Sequence, residues 1–231
     1  MFAHRGATGR GHVENTVPAV EAALAGADGV EIDVRLSADG VPVCSHDETL
    51  LRTAGADVTV AETPYGVLRR IRVGGAVAAP GLSEIVATVG NRGRLIVEVK
   101  RGPEPPAATA RAVGQVLATA RPADVVVSSF DPALLQVLAG EQSRLPTALI
   151  TTADNTSPEL PELARRLGCA EVHPHWSATT DRLVRAAHSR DLAVVPWTIT
   201  EQNQLGRLTS DLDGAIVDIS VDPAARAPER G

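Results

Sequence analysis

The chain has 231 residues, a net charge of −6 and only 2% aromatic residues. A chain of this length can bury a full core without needing disulfides or a structural metal. The net negative charge argues against the basic surface that a nucleic-acid binder needs. The small number of aromatic residues argues against a surface on which bases could stack.

Short apolar runs alternate with helical patterns along the whole chain. In chain order, the predicted strands span residues 2–4, 29–36, 41–46, 95–100, 125–129, 147–151, 171–175, 193–198 and 214–218. The predicted helices span residues 17–24, 81–90, 106–120, 132–140, 159–167, 180–189 and 201–208. The strand at 41–46 follows an Asp39–Gly40 turn and forms a hairpin with the strand before it. The other eight strands alternate with helices, and such units predict a parallel sheet.

Eight such strands, seven of them followed by helices, predict a single TIM (β/α)8 barrel over residues 1–220, with a small insertion at 47–80 that contains a short helix at 65–71. A doubly wound sheet would instead need a glycine-rich dinucleotide turn after the first strand, and the glycines after His4 lack that spacing. Residues 221–231 are rich in Ala, Arg and Pro. They predict a flexible tail and a truncated final helix.

Two predicted strands carry charges where a buried strand should be apolar. Glu31 and Asp33 share one face of their strand, as do Glu98 and Lys100, because side chains two residues apart point the same way. The β-branched residues between them face the helices, so the charges point into the barrel. Converging buried carboxylates need a cation, and hard oxygen ligands suit Mg²⁺ or Ca²⁺. The alternative is an internal salt-bridge network with Arg5 and Lys100.

Histidines lie at the ends of the same predicted strands. His4 ends the first strand, and His46 ends the hairpin. Imidazole titrates near neutral pH, and barrel active sites occupy the carboxyl ends of the strands, so these two residues suit general acid–base catalysis. His173 and His175 share a face on the sixth barrel strand, where a pocket-lining or packing role is favoured over metal binding.

Lysine is rare in this chain: Lys100 is the single lysine among 22 basic residues. An arginine bias of the source explains the abundance of arginine. However, a compact ammonium and a planar guanidinium are not interchangeable, so a site that requires lysine is also indicated. Next to a divalent cation, Arg5 and Lys100 describe a site for an anionic group, most naturally phosphate.

The location of the protein is predicted from what the sequence lacks. No run approaches the ~18 apolar residues of a membrane span, and the N-terminus has no apolar signal segment. Cys44 and Cys169 lie far apart and in no motif, which favours free thiols in a reducing compartment. We therefore expect a cytoplasmic protein with a small-molecule substrate, no integral membrane segment and no nucleic-acid partner.

Several short motifs occur in a fixed order between residue 4 and about residue 218. They are His-Arg-Gly at 4–6, Glu-Asn-Thr at 14–16, Gly-Ala-Asp-Gly-Val-Glu-Ile-Asp-Val at 26–34, Asp-Gly-Val-Pro-Val at 39–43, His-Asp at 46–47, Leu-Arg-Thr at 51–53, Val-Glu-Val-Lys at 97–100, Ser-Ser-Phe at 128–130, Pro-Trp-Thr at 196–198 and Asp-Gly at 213–214. Each is weak alone, but the ordered set resembles the glycerophosphodiester phosphodiesterase family.

This resemblance implies a TIM barrel with one divalent cation that hydrolyses glycerophosphodiesters to glycerol 3-phosphate and an alcohol. By position it implies Glu31, Asp33 and Glu98 as metal ligands and His4 and His46 as the acid–base pair. The implied substrate contacts are Arg5 and Lys100 for the phosphate, with Glu14 near the site and Trp197 on the glycerol side. The attacking group is either the glycerol 2-hydroxyl, through a cyclic phosphate, or water.

Three departures from the family pattern concern the last strand and its surroundings. Residues 217–220 read Val-Asp-Ile-Ser where the family often has Thr-Asp-x-Pro, Thr200 stands where Asn is common, and the closing helix is short. Two rival functions remain. A lysophospholipase D-like enzyme would use the same scaffold but needs an apolar entrance for an acyl chain. A non-catalytic phosphodiester-binding barrel would have lost the chemistry, although all seven proposed metal, acid–base and phosphate positions carry competent side chains.

Overall fold

The computed structural model describes residues 1–8, 11–140, 145–208 and 211–218. The strands are β1 (Phe2–His4), β2 (Gly29–Leu36), β3 (Pro42–Cys44), β4 (Arg72–Val73), β5 (Ala76–Val77), β6 (Arg94–Val99), β7 (Val125–Ser129), β8 (Thr147–Thr151), β9 (Glu171–Pro174), β10 (Ala193–Val194) and β11 (Ile216–Val217). The helices are α1 (Val17–Ala23), α2 (Leu51–Ala54), α3 (Tyr65–Leu68), α4 (Leu82–Val89), α5 (Pro106–Ala120), α6 (Pro132–Gly140), α7 (Leu160–Arg166), α8 (Asp181–His188) and α9 (Gln202–Leu205).

Eight parallel strands of the described ranges form one curled sheet in the order β10-β9-β8-β7-β6-β2-β1-β11. Backbone hydrogen bonds join its two edges: Ile216 N–H donates to the Pro196 carbonyl at 2.9 Å, and Ile199 N–H donates to the Ile216 carbonyl at 3.0 Å. The predicted α/β TIM-type barrel is therefore confirmed. β10 is shorter than the predicted strand at 193–198 because Pro196 has no N–H to donate to a ladder.

The alternation predicted for the two charged strands is observed. Val30, Ile32 and Val34 pack against the helices in the main hydrophobic core, as do Leu95 and Val97 of β6. Each fully buried aliphatic side chain of this kind contributes ~1.5–3 kcal/mol to the free energy of unfolding. The residues between them face the barrel interior, so the aliphatic outer layer fixes where the charges point.

A smaller apolar cluster sits inside the barrel, below the charged residues. It contains Phe2, Ile96, Val195 and Ile216, with Trp197 packed against it. Since the interior is filled, the open end for a ligand is at the carboxyl ends of the strands, where the charged residues lie.

The insertion at 47–80 has more regular structure than the single helix predicted at 65–71. It contains α2, α3 and the β4–β5 hairpin, packed around its own apolar cluster of Val43, Leu50, Val60, Leu68, Ala78 and Ala79. The Tyr65 N–H donates to Asp39 Oδ1 at 2.8 Å, and the Tyr65 hydroxyl donates to Glu84 on α4. The insertion is thus fastened to the barrel on two sides.

The end of the chain differs in detail from the sequence predictions. α9 is shorter than the helix predicted at 201–208, and the predicted tail at 221–231 and truncated final helix lie outside the described residues. Cys44 and Cys169 are free and buried. Among the described helices, none has the length and apolar character that crossing a membrane requires.

Candidate functional site

The strand ends surround a cavity of about 190 Å³. Its lining combines all the predicted acid–base and phosphate residues with two of the three carboxylates and several apolar side chains, namely His4, Arg5, Glu31, His46, Glu98, Lys100, Ser128, Phe130, Ile150, His173, Trp197, Thr198 and Ile216. Residues from both ends of the sequence meet here because the barrel places the first and last strands side by side.

The three predicted metal ligands form one cluster at this cavity. Glu31, Asp33 and Glu98 each present a carboxylate oxygen within 4.8 Å of the others. Asp33 and Glu98 are direct neighbours in the β2–β6 ladder, and Glu31 lies two residues earlier on the same face of β2. The prediction that these side chains converge is confirmed, and their role as metal ligands stays a prediction.

Two cations contact the cluster. Lys100 Nζ lies 2.8 Å from Asp33 Oδ1 and also donates to Glu98. Arg5 Nε lies 3.1 Å from Asp33 Oδ2, and the Arg5 backbone N–H donates to Glu31 Oε2 at 3.1 Å. The salt-bridge network considered for the sequence is thus present. It does not exclude a metal, because three carboxylates outnumber the two cations.

The charge imbalance is visible in the pKa values of the carboxyl groups. Burial raises the pKa of Glu31 well above its ordinary value, and the charges of Asp33 and Glu98 raise it further. Burial also raises the pKa of Glu98, more than Lys100 lowers it. For Asp33, burial is outweighed by Lys100 and Arg5, which hold its pKa below the ordinary range. An additional cation would therefore stabilise the ionised cluster.

The donor atoms fit a hard divalent cation. All three candidate ligands are carboxylates, the oxygen donors that Mg²⁺ and Ca²⁺ prefer. Glu31 Oε1 is buried and has no hydrogen-bond partner among the described residues. A buried carboxylate oxygen without a partner lowers the stability of the fold unless a cation or a hydrogen-bond donor contacts it. The cluster is accordingly suited to one divalent cation.

Asp33 is held in place by Asn15, the residue before the N-terminal cap of α1. The cap of α1 is Thr16, whose Oγ1 accepts from the Ala19 N–H at 3.4 Å. Asn15 instead donates from Nδ2 to Asp33 Oδ2 at 2.9 Å and accepts the Asp33 backbone N–H at 2.9 Å. This bidentate contact fixes the orientation of the carboxylate.

Each predicted catalytic histidine has a carboxylate on its Nδ1 atom. His4 Nδ1 donates to Asp218 Oδ1 at 3.0 Å, and His46 Nδ1 donates to Asp47 Oδ1 at 2.7 Å. A carboxylate that accepts from Nδ1 fixes the tautomer and ring orientation and leaves Nε2 for proton exchange. The two histidines thus share the same arrangement, and their role as an acid–base pair stays a prediction.

The hairpin explains how His46 reaches the site. β2 is the longest strand and extends beyond the barrel, and β3 runs back antiparallel to it, with Cys44 opposite Val34. The Ser45 N–H then donates to the Asp33 carbonyl at 3.1 Å. The chain has therefore returned to the level of the carboxylate cluster when it reaches His46.

An arginine from the insertion anchors the His46 side of the site. Arg52 Nε donates to Asp47 Oδ2 at 2.6 Å, while its Nη1 and Nη2 atoms donate to Glu14 at 2.8 and 2.7 Å. The hydrogen bond from Arg52 lowers the pKa of Asp47 to about 2, so this carboxylate is ionised at neutral pH. Arg52, Asp47 and Asp218 were not singled out from the sequence as functional residues.

Glu14 lies behind the cavity lining. It accepts from Arg5 Nη1 at 3.1 Å as well as from Arg52, so it links the two arginines. Its role as a direct substrate contact stays a prediction.

The turn that carries Arg5 is unusual, since Arg5 itself has a φ of 54° and Gly6 a φ of 85°. A Cβ atom on Gly6 would lie 2.8 Å from the Ala19 backbone, so only glycine fits there.

Aromatic side chains form the rim of the cavity. Phe130 and Trp197 contact edge to face with ring centroids 5.3 Å apart, and Trp197 Nε1 donates to the Thr151 carbonyl at 3.1 Å. His173 is fully buried and lines the cavity, in the pocket-lining position predicted for it. β9 ends at Pro174, one residue earlier than predicted, but the backbone of His175 stays extended and pairs with Trp197 in a parallel bridge. The His175 ring lies 5.6 Å from the Trp197 ring, centroid to centroid, and bonds to Ser177 at 2.8 Å.

Comparisons with known proteins agree with one another. Residues 4–220 match the model of the glycerophosphoryl diester phosphodiesterase family. A glycerophosphodiester phosphodiesterase of Bacillus altitudinis is 28% identical over 94% of each chain. A phosphodiesterase of Oleispira antarctica, solved in complex with the product sn-glycerol-3-phosphate, is 27% identical with a TM-score of 0.83, over 94% of this chain and 92% of that one. A glycerophosphodiester phosphodiesterase of Thermotoga maritima is 25% identical with a TM-score of 0.78, over 94% and 93%.

Proposed function

The chain belongs to the glycerophosphoryl diester phosphodiesterase family, and from this premise we propose that it hydrolyses glycerophosphodiesters to glycerol 3-phosphate and an alcohol. The observation that carries the proposal is the pair of histidines, each with a carboxylate on Nδ1, beside a cluster of three carboxylates, a lysine and an arginine. The product bound to the Oleispira relative supports glycerol 3-phosphate as the product here.

Glu31, Asp33 and Glu98 would hold one divalent cation, Mg²⁺ or Ca²⁺. When bound, this cation stabilises negative charge that develops on the phosphate oxygens. Lys100 lies between Asp33 and Glu98 and reaches the cavity, so its ammonium can contact a phosphate oxygen and neutralise part of the same charge. Arg5 binds the opposite side of the cluster and orients Glu31 through its backbone N–H.

His4 and His46 move the protons. One imidazole accepts the proton of the attacking hydroxyl at Nε2 as the new P–O bond forms. The other donates its Nε2 proton to the alkoxide oxygen as the P–O bond to the leaving alcohol breaks. Asp218 and Asp47 stabilise whichever imidazole is protonated, because each accepts from Nδ1 in both protonation states. The attacking hydroxyl belongs either to the glycerol C2 position or to water.

The size of the cavity bears on the rival enzyme activity. A volume of about 190 Å³ is below the ~300–1,000 Å³ of sites for drug-sized ligands. This favours a small deacylated diester over a lysophospholipid. The non-catalytic alternative is disfavoured because every side chain that the chemistry needs is present and mutually oriented. A cytoplasmic location stays a prediction, and a part in lipid and glycerol metabolism follows from the proposed substrates.

The test is a coupled assay for glycerol 3-phosphate release. It uses glycerophosphocholine, glycerophosphoethanolamine and glycerophosphoglycerol, each with Mg²⁺ and with Ca²⁺. Choline release from glycerophosphocholine and from lysophosphatidylcholine is measured in parallel, because cleavage of the lysophospholipid yields lysophosphatidic acid and choline. The proposal predicts release from the deacylated diesters, loss of activity after dialysis against EDTA, and recovery when either cation is restored. Faster cleavage of lysophosphatidylcholine would favour the lysophospholipase D-like activity. Tight binding of all substrates without any turnover would favour the non-catalytic barrel.

A further inference from the structure

Two buried polar atoms at the floor of the cavity lack a hydrogen-bond partner among the described residues: Ser128 Oγ and His173 Nδ1. Ser128 is 1% exposed and His173 is fully buried, and both line the cavity. A buried polar atom left unsatisfied costs ~1–3 kcal/mol. Neither atom belongs to the carboxylate cluster or to the acid–base pair, so the mechanism above does not account for them.

The orientation of His173 is set from below by a chain of ion pairs. Its Nε2 donates to Glu171 Oε2 at 3.0 Å, Arg94 Nη1 donates to Glu171 Oε1 at 2.8 Å, and Arg94 Nε lies 3.0 Å from Asp124. Burial raises the pKa of Glu171, but His173 and Arg94 outweigh it and hold that pKa below its ordinary value. A carboxylate can only accept, so this hydrogen bond fixes the proton on Nε2 and leaves Nδ1 as the ring nitrogen available to a ligand in the cavity.

Ser128 is placed next to the reaction centre. It pairs with Glu98 in the β6–β7 ladder, so its side chain continues the row of carboxylates toward the interior of the barrel. A hydroxyl can both donate and accept, whereas His173 Nδ1 can only accept in its neutral form. The remaining floor residues, Ile150 and Ile216, offer no side-chain polar group. The two atoms together are complementary to a ligand hydroxyl.

We propose that Ser128 and His173 form a hydroxyl-binding floor that recognises the free primary hydroxyl of the substrate glycerol and so selects glycerol over simpler alcohols. This assignment rests on the proposed phosphodiesterase function. The glycerol is the constant half of the substrate and suits the closed floor. The variable alcohol must leave and suits the open rim, where Phe130 is 40% exposed.

A polar pocket that lacks its ligand hydroxyl is left with unpaired buried groups, which is the strongest source of discrimination against an analogue. The matching analogue is a diester in which 1,2-propanediol replaces glycerol, because it keeps the 2-hydroxyl and lacks only the primary hydroxyl. For one hydroxyl we expect the wild type to prefer glycerophosphocholine over 1,2-propanediol phosphocholine by about 10- to 100-fold in kcat/KM.

The experiment measures this preference in Ser128→Ala and His173→Leu. Each change removes one floor atom and should bring the preference to within about threefold, mainly through slower turnover of the glycerol substrate. Ser129→Ala is the matched control. The Ser129 hydroxyl donates to the Val99 carbonyl at 2.9 Å and lies outside the cavity lining, so its loss should leave the preference at the wild-type value.

A folded Ser128→Ala variant that keeps the full preference would overturn the proposal, as would a wild type with no preference. If His173→Leu does not fold, Ser128→Ala still decides. If the wild type cleaves neither diester, the proposed function fails, and the floor is tested separately by calorimetry. Tighter binding of glycerol 3-phosphate than of 1,2-propanediol 1-phosphate, lost in Ser128→Ala, would support the floor. Equal affinities would show that the two atoms hold water only and would overturn it.

Discussion

Lys100→Met tests the electrostatic design of the site without relying on activity. Lys100 contacts both Asp33 and Glu98. The Lys100 side chain is 14% exposed, and the Asp33 side chain is 1% exposed. Methionine has a similar length but no charge. The variant leaves three buried carboxylates with Arg5 as their close cation.

The expected loss follows from the burial of the pair. Removing one partner of a buried ion pair costs ~3–5 kcal/mol in the free energy of unfolding. In a domain of this size each kcal/mol corresponds to ~2–4 °C in Tm, so the metal-free variant should melt about 6–20 °C below the metal-free wild type. A divalent cation at the cluster supplies the missing charge. The variant should therefore gain more in Tm from Mg²⁺ or Ca²⁺ than the wild type does.

The assay is thermal unfolding of both proteins in EDTA and in a series of Mg²⁺ or Ca²⁺ concentrations. Arg165→Met is the control, since Arg165 forms an exposed pair with Glu162 at 3.1 Å. Exposed pairs of this kind add little to stability, so this variant should melt close to the wild type in every condition. Equal stability of Lys100→Met and the wild type in EDTA, or an equal rise of both Tm values with the cations, would contradict this role of Lys100.

Three further results are expected. His4→Ala and His46→Ala should each lower kcat on glycerophosphocholine by ~10²–10⁴ with an unchanged far-ultraviolet circular dichroism spectrum; near-normal turnover in both would reject their assignment. Lys100→Arg should fold yet lose most activity, because a forked guanidinium does not replace an ammonium between two carboxylates; a fully active variant would make the single lysine a matter of composition. Burial and the hydrogen bond to Glu84 raise the pKa of Tyr65 to about 12, against ~10 in an unfolded chain. The stability that the Tyr65 hydroxyl contributes is complete below pH ~10 and is lost as the pH rises to ~12. The Tm difference between the wild type and Tyr65→Phe should therefore shrink between these two pH values. A constant Tm difference would contradict the raised pKa of Tyr65.

The parts of the site that depend on local periodicity were predictable from the sequence. Charges two residues apart in an aliphatic strand must share a face, so the convergence of Glu31, Asp33 and Glu98 followed once a parallel barrel was inferred. The position of His4 at the mouth followed in the same way, because His4 ends β1, whereas His46 reaches the mouth through the antiparallel hairpin, whose strand β3 ends at Cys44. Local rules of this kind require no knowledge of loop conformation.

The contacts between distant segments could not be predicted residue by residue. Asp218 reaches His4 over a sequence separation of 214 residues only because β11 lies beside β1. The closed barrel does indicate that the residues after its first and last strands lie near each other, but not which side chains bond. Arg52 depends on how the insertion folds over the barrel, for which the sequence carries no periodic signal.

His175 and Ser128 show two other limits of sequence reasoning. The strand containing His173 ends one residue before His175, and strand ends are the least certain feature of a sequence pattern. A serine inside a β-branched strand is unremarkable in itself. That the Ser128 hydroxyl is unpaired is known only once the surroundings of Ser128 on every neighbouring strand are known.

The central claim is that this chain cleaves the phosphodiester so that phosphate stays on glycerol. It is tested most directly by ³¹P NMR of glycerophosphocholine incubated with the protein and a divalent cation in ¹⁸O-labelled water. We expect glycerol 3-phosphate with one ¹⁸O atom on phosphorus, whether water or the 2-hydroxyl attacks first. Phosphocholine as the product, or an unchanged diester with both Mg²⁺ and Ca²⁺, would contradict it.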